Sequence, residues 1–136
     1  MDAYSYFEHD ADIGIIGRGS SVEEAFESAA KATFAIMAET LPEALENEIG
    51  FEFEEEDVEF ALVRWLNLLI AHAQSRFIVL GRFEIKREGS QWHSRAWGAP
   101  WGDEIVRGVE VKGATLTMLS VKEKAGLWEA RCIVDV

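Results

Sequence analysis

The sequence predicts an α+β fold in which two helices pack on a largely antiparallel sheet, within a single domain spanning residues 1–136. Apolar residues recur at intervals of three and four in two stretches, as on the buried face of a helix. Elsewhere apolar and polar residues alternate, as in half-buried strands. The order of these patterns is a strand pair, a helix, a strand, a second helix and a meander, which favours antiparallel pairing.

The first part of the chain predicts two strands and a helix. Alternation indicates strands over residues 4–7 and 12–18, joined by an acidic turn. A helix is predicted over residues 22–38, and Ser21 with Glu24 has the spacing of a capping box at its start. We expect the glycines that precede this helix to make the turn between strand and helix.

The rest of the chain predicts a strand, a long buried helix and further sheet. Phe51 and Phe53 alternate with glutamates in a strand over residues 49–56, and Asp57 caps the second helix. His72 lies on that helix among aliphatic residues, which favours a core or partly covered position over a metal ligand. An irregular loop is predicted at residues 97–104. The remaining strands are predicted at residues 77–87, 91–96, 109–122 and 127–134.

Charge and composition narrow the function classes. The net charge is −12, from 25 acidic and 13 basic residues, so the protein's field repels phosphate backbones and attracts cations or basic surfaces. Direct nucleic-acid binding is therefore disfavoured. No apolar run has membrane-spanning length and the N-terminus lacks the pattern of a secretory signal, so we expect a cytoplasmic protein. The single cysteine, Cys132, is predicted to be a core thiol.

An acidic turn near the start of the chain carries the candidate chemistry. His9, Asp10 and Asp12 stand just before an apolar strand. The aspartates can form the turn by bonding their own backbone, and a weaker alternative is a metal-dependent hydrolase that uses all three residues. At the other end of the chain, Asp135 is followed by the carboxylate of Val136. Calcium prefers such oxygen ligands, so a cation site forms if Asp12 meets them in space.

Five groups of residues, in this order along the chain, resemble the archease family. Each group is weak alone, but together they are specific and cover almost the whole chain. They are Phe7-Glu8-His9-Asp10-Ala11-Asp12-Ile13-Gly14, Glu23-Glu24-Ala25-Phe26 with Ala29-Ala30, Leu62 with Trp65-Leu66-Asn67, Val111-Lys112 with Thr115, and Trp128-Glu129-Ala130-Arg131 with Val134-Asp135-Val136.

The resemblance implies a function as well as an α+β fold. Archeases are protein cofactors, not enzymes, of the RtcB-type RNA ligase of tRNA splicing and RNA repair. They speed guanylylation of the ligase and support multiple turnovers. By resemblance, Asp12, Asp135 and Val136 hold a divalent cation, which is calcium in the family, and Lys112 takes part in partner activation. His9 and Asp10 are then expected to support the turn.

The sequence departs from the family pattern at two places. Asp10 replaces the usual threonine of the first motif, and the run after Lys112 reads Gly113-Ala114-Thr115-Leu116-Thr117, where the family commonly has Ala-Val-Thr-Tyr-His. These changes alter the surface around Lys112. Besides the hydrolase, a second alternative is a chaperone-like modulator of a tRNA-modifying methyltransferase, a role also proposed within the family.

Overall fold

A computed structural model describes residues 2–136, which form eight strands and two helices. No helix in that part of the chain combines the length and apolar character needed to cross a bilayer. The elements, in chain order, are β1 (Tyr4–His9), β2 (Asp12–Gly19), α1 (Val22–Met37), β3 (Asn47–Glu54), α2 (Val58–Arg76), β4 (Ile78–Glu88), β5 (Gln91–Pro100), β6 (Gly113–Ala114), β7 (Ser120–Lys124) and β8 (Leu127–Asp135).

The predicted fold class is confirmed, with the sheet divided into two. One sheet has the strand order β1-β2-β8-β6, with β7 also paired to β8, and the other has the order β3-β5-β4. The pairing is antiparallel throughout both sheets. Helix α1 contacts β2 and β8 of the first sheet and β4 of the second, and α2 contacts β4, β6 and β7. The helices therefore join the two sheets into one core.

Stacked aromatic rings form the centre of this core. The Phe26 ring on α1 lies 6.1 Å from Trp65 on α2 and 5.3 Å from Trp92 on β5, measured between ring centroids. The buried Trp65 Nε1 donates a hydrogen bond of 2.7 Å to Ser94 Oγ on β5. This contact connects α2 to the three-stranded sheet.

The predicted glycine turn before α1 is wrong at Gly17, which lies within strand β2. A side chain at this position would collide with the backbone of Ala25 and Ala29 on α1. Gly17 is therefore needed for close packing of the strand on the helix, because only hydrogen occupies the space between the two backbones. The predicted start of α1 is confirmed, since the side chain of Ser21 accepts the Glu24 N–H.

Two boundary predictions in the second half are wrong. The strand predicted over residues 109–122 is two short strands, β6 and β7, separated by a turn in which Met118 has a φ of 54°. The loop predicted over residues 97–104 begins in strand β5, which continues to Pro100. The strand continues because Gly98, Ala99 and Pro100 pair with the first three residues of β4, Ile78 to Leu80.

Two residue environments agree with prediction. Cys132 on β8 is fully buried, and burial raises the pKa of its thiol to about 12. His72 is partly covered and stacks on Phe51 with ring centroids 4.7 Å apart. Burial, with a smaller contribution from the charge of Arg76, lowers the pKa of His72. Cys132 is therefore a buried core residue, and His72 is a partly buried residue that packs on Phe51.

Candidate functional site

The turn between β1 and β2 positions the first group of candidate residues. His9 pairs with Asp12, so Asp10 and Ala11 alone form the connection. Asp10 adopts a φ of 52°, a left-handed conformation that aspartate tolerates better than most residues. Its side chain is 94% exposed, and its Oδ2 lies 3.9 Å from Nδ1 of His9. This turn sets the direction in which β2, and with it Asp12, begins.

The last residues of the chain meet the start of β2 at Asp12. Strand β2 pairs with β8, and the register joins Ile13 to Val134. Extending this register by one residue sets Asp12, the first residue of β2, opposite Asp135, the last residue of β8, so we infer that their side chains share one face of the sheet. The Val136 N–H donates to Oδ1 of Asp12 at 3.3 Å. Residues 12, 135 and 136 therefore form one group, called here the terminal cluster.

Lys112 lies next to the terminal cluster on the neighbouring strand edge. Its backbone N–H donates to the Asp135 carbonyl at 2.8 Å, and Gly113 pairs with Asp135. Lys112 is exposed to solvent. The structure thus brings the lysine and the three predicted ligand positions together at one end of the five-stranded sheet.

Asn67 holds this arrangement from helix α2. Its Nδ2 donates to the Ala114 carbonyl at 3.1 Å, and its Oδ1 accepts the Ala114 N–H at 2.8 Å. Strand β6 pairs with β8, and these two bonds satisfy the backbone N–H and C=O of Ala114 from the helix. They fix the position of the segment that begins at Lys112. In the sequence, Asn67 is marked only by its place in the family motif Trp65-Leu66-Asn67. A polar residue on the otherwise apolar face of a buried helix is the signal that indicates such a role.

The donor atoms of the terminal cluster suit a hard cation. Asp12 and Asp135 have carboxylate side chains, and the carboxylate of Val136 is the predicted third anionic ligand. Residues 2–136 contain no group of three His, Cys, Asp or Glu side chains placed to hold a metal ion. A cation bound here therefore needs ligands in addition to the two aspartate side chains.

The hydrolase alternative gains no support from this geometry. His9 and Asp10 lie at an exposed turn, and the carboxylate of Asp10 is almost wholly in water. A general acid or base must be held within hydrogen-bond reach of a bound substrate. The Asp10 side chain extends into solvent at the tip of a hairpin, so a structural role in the turn accounts for both residues.

Comparisons with known proteins agree over nearly the whole chain. The model of the archease protein family (MTH1598/TM1083) matches residues 4–136. The chain is 33% identical to protein archease of Sulfolobus acidocaldarius and 34% identical to protein archease of Methanothermobacter thermautotrophicus, and each match covers all of both chains. These relatives are named as archeases and not as enzymes.

Two solved structures share the fold. The solution structure of protein 1598 of Methanobacterium thermoautotrophicum is 29% identical, has a TM-score of 0.79 and matches all of both chains. The crystal structure of an archease from Thermotoga maritima, described as a "possible chaperone", is 23% identical with a TM-score of 0.64, over 96% of this chain and 94% of its own. The family match and the full-length relatives together show that this chain belongs to the archease protein family.

Proposed function

We propose that this archease activates an RtcB-type RNA ligase in the cytoplasm. It promotes guanylylation of the ligase and multiple turnover in tRNA splicing and RNA repair, as a protein cofactor without catalysis of its own. The observation that carries the proposal is the contact of Asp12 with Val136, next to Asp135. Residues far apart in the sequence meet there, and they are the residues that the family resemblance assigns to a cation site.

The terminal cluster acts by holding a divalent cation, and we propose calcium. Asp12, Asp135 and the Val136 carboxylate are its ligands. A bound cation neutralises carboxylates that would otherwise repel one another, and it presents positive charge to a partner. Lys112 adds a second positive group next to the cluster, and both Lys112 and Asp135 are exposed to a partner protein.

Action on a protein partner agrees with two further observations. The Thermotoga maritima archease is described as a "possible chaperone", a term for proteins that act on other proteins. The net charge of −12 favours contact with a basic protein surface over direct contact with RNA. In this proposal the ligase carries the RNA-binding surface and the nucleotide chemistry.

A guanylylation assay with the ligase of the same organism tests the proposal. We expect addition of the wild-type protein to speed formation of the ligase–GMP adduct. Asp12→Ala and Asp135→Ala each remove a ligand, so each should lower the stimulated rate by about tenfold or more, given the 10–100-fold cost typical of disturbing a metal site. Lys112→Ala should lower stimulation without loss of calcium binding.

Asp103→Ala is the matched control, because it removes the same group from an exposed position in the segment between β5 and β6. It should stimulate the ligase as well as the wild type does. If Asp12→Ala and Asp135→Ala fold normally and stimulate fully, the cluster has no role in activation. If the wild type leaves guanylylation unchanged but binds and modulates a tRNA methyltransferase, the alternative function is the correct one.

A further inference from the structure

Strand β3 forms an open edge of the three-stranded sheet. In the strand order β3-β5-β4, it pairs with β5 along all eight of its residues. Within the part of the chain that the structure describes, no other strand pairs with it. An open edge presents unpaired N–H and C=O groups to which another extended chain can bond.

The direction of the peptide groups identifies which residues face the open edge. The Glu55 N–H donates to the Ser90 carbonyl of the adjoining hairpin, so residue 55 points toward β5. Hydrogen-bonded and non-bonded pairs alternate along an antiparallel ladder. The backbone groups of residues 48, 50, 52 and 54 therefore point away from β5, into the open edge.

Gly50 lies in the middle of this open edge, and the protein's own packing does not explain it. A side chain at this position would meet only the Ser94 carbonyl oxygen, at 3.8 Å. The pairing of β3 with β5 passes through Gly50 without a bulge, and its φ is not positive. Glycine inside a regular strand commonly marks the close approach of another backbone.

Negative charge is concentrated on and around this edge strand, where Glu48 and Glu52 are paired with Arg95 and His93 of β5. Residues 39–59 contain ten carboxylate side chains and no Lys, Arg or His, while the whole chain has a net charge of −12. On β3 the exposed carboxylates are those of Glu48, Glu52 and Glu54, and the more buried positions are Ile49, Phe51 and Phe53. Two copies of such an edge repel each other, so the charges prevent self-pairing and favour a strand of opposite charge.

We propose that β3 is a docking edge for an extended segment of a protein partner in which lysine or arginine alternates with apolar residues. The segment adds a fourth strand to the sheet by main-chain hydrogen bonds. Its basic side chains lie opposite the glutamates on the outer face, and its apolar side chains continue the inner face beside Phe51. The proposal does not depend on the ligase, because this edge belongs to the other sheet from the terminal cluster.

A defined peptide tests the docking edge. The probe is an eight-residue peptide of alternating lysine and valine with blocked ends, titrated into the 15N-labelled full chain. We expect the shifted amide signals to be concentrated in β3 and its neighbour β5. The affinity should fall as salt rises, because ionic contacts contribute to it. A peptide of alternating glutamate and valine should not bind.

Two variants separate the contributions of backbone and charge. Gly50→Pro removes the outward N–H and leaves the ladder to β5 intact, so it should weaken peptide binding by about fivefold or more, the worth of one lost hydrogen bond. The triple variant Glu46→Lys, Glu54→Lys, Glu56→Lys, called the β3 triple, reverses one carboxylate on β3 and two just beyond its ends, and should weaken binding by about tenfold or more. The control triple Asp103→Lys, Glu110→Lys, Glu123→Lys makes the same charge change at exposed positions elsewhere.

The outcomes are distinct provided that each variant unfolds at a temperature close to that of the wild type. Loss of binding in the β3 triple with retention in the control triple supports the docking edge. Equal weakening in both triples, or amide shifts spread over the whole surface, means that the peptide responds only to net charge and overturns the proposal. Absence of binding by the wild type shows that the acidic edge serves only to prevent self-association, which overturns it as well.

Discussion

At the scale of single residues, the hydrogen bond between Trp65 and Ser94 joins helix α2 to strand β5 inside the core. Both residues are buried, and the donor and acceptor lie 2.7 Å apart. A buried indole N–H without an acceptor loses the hydrogen bond that it makes with water in the unfolded chain. The serine hydroxyl therefore allows a tryptophan to fill the centre of the core.

Ser94→Ala should destabilise the protein by about 1–3 kcal/mol, the cost of a buried donor left without a partner. Chemical denaturation followed by tryptophan fluorescence measures the change. Ser120→Ala is a suitable control, since the Ser120 side chain makes no hydrogen bond within the described residues and lies on the short strand β7. If both variants are as stable as the wild type, the hydrogen bond contributes little.

Residue environments were predictable where local pattern decides them. The alternation around Cys132 predicted a buried thiol, and the surroundings of His72 predicted a partly covered ring. The bonds of Trp65 to Ser94 and of Asn67 to Ala114 were not predictable. Each joins residues far apart in the sequence, so it depends on how a helix is placed against a strand.

At the scale of elements, Gly17 and Gly50 both lie in strands but have different roles. Gly17 lies where strand β2 touches the backbone of α1, and Gly50 lies on an edge strand with open space above it. The sequence does not distinguish them, because both stand in strand-forming stretches. Only the packing of another element on the strand shows that one glycine is required by the fold and the other is not.

Substitution by alanine separates these two roles. Gly17→Ala should destabilise the protein by about 1–3 kcal/mol or more, because the added methyl group overpacks a strand–helix contact that has no room to adjust. Gly50→Ala should leave stability unchanged or raise it by up to about 1 kcal/mol, since alanine loses less conformational entropy than glycine on folding. Thermal or urea unfolding of the pair provides the comparison. Equal stabilities would contradict the proposed close packing at Gly17.

Element prediction succeeded for the helices and failed in the meander for a physical reason. Helices α1 and α2 carry a periodic apolar pattern and local caps, both of which are encoded in consecutive residues. The segment predicted as one strand over residues 109–122 is rich in β-forming residues throughout. Its division into β6 and β7 depends on the edge of β8 and on Asn67, neither of which is local.

At the scale of the whole molecule, the fold places the second strand of the chain beside the last one in the centre of one sheet. Strand β2, from the start of the chain, and β8, from its end, are direct neighbours. Composition and motifs predicted an α+β fold, but they did not predict its division into two sheets. Helix α1 is buried on more than one face because it contacts strands of both sheets, and the sequence pattern of α1 does not show how many sheets cover it. The meeting of Asp12 with residues 135 and 136 was expected only through the family resemblance.

The net charge of the molecule is also unevenly distributed, with ten carboxylates in residues 39–59. The terminal cluster and the β3 edge belong to different sheets. We therefore propose separate ligands for separate surfaces: a small hard cation for the terminal cluster and an extended basic chain for the β3 edge. Activation of a partner and recognition of a partner can then be altered by separate substitutions.

The most direct test of the account is a calorimetric titration of calcium into the chelator-treated protein. The account predicts one binding site per chain in the wild type and in Asp103→Ala, because the exposed Asp103 lies outside the terminal cluster. Asp12→Ala and Asp135→Ala each remove a carboxylate ligand and should lose measurable binding while keeping the wild-type circular dichroism spectrum. Unchanged calcium affinity in these two variants, or no binding by the wild type, would contradict the proposed cation site.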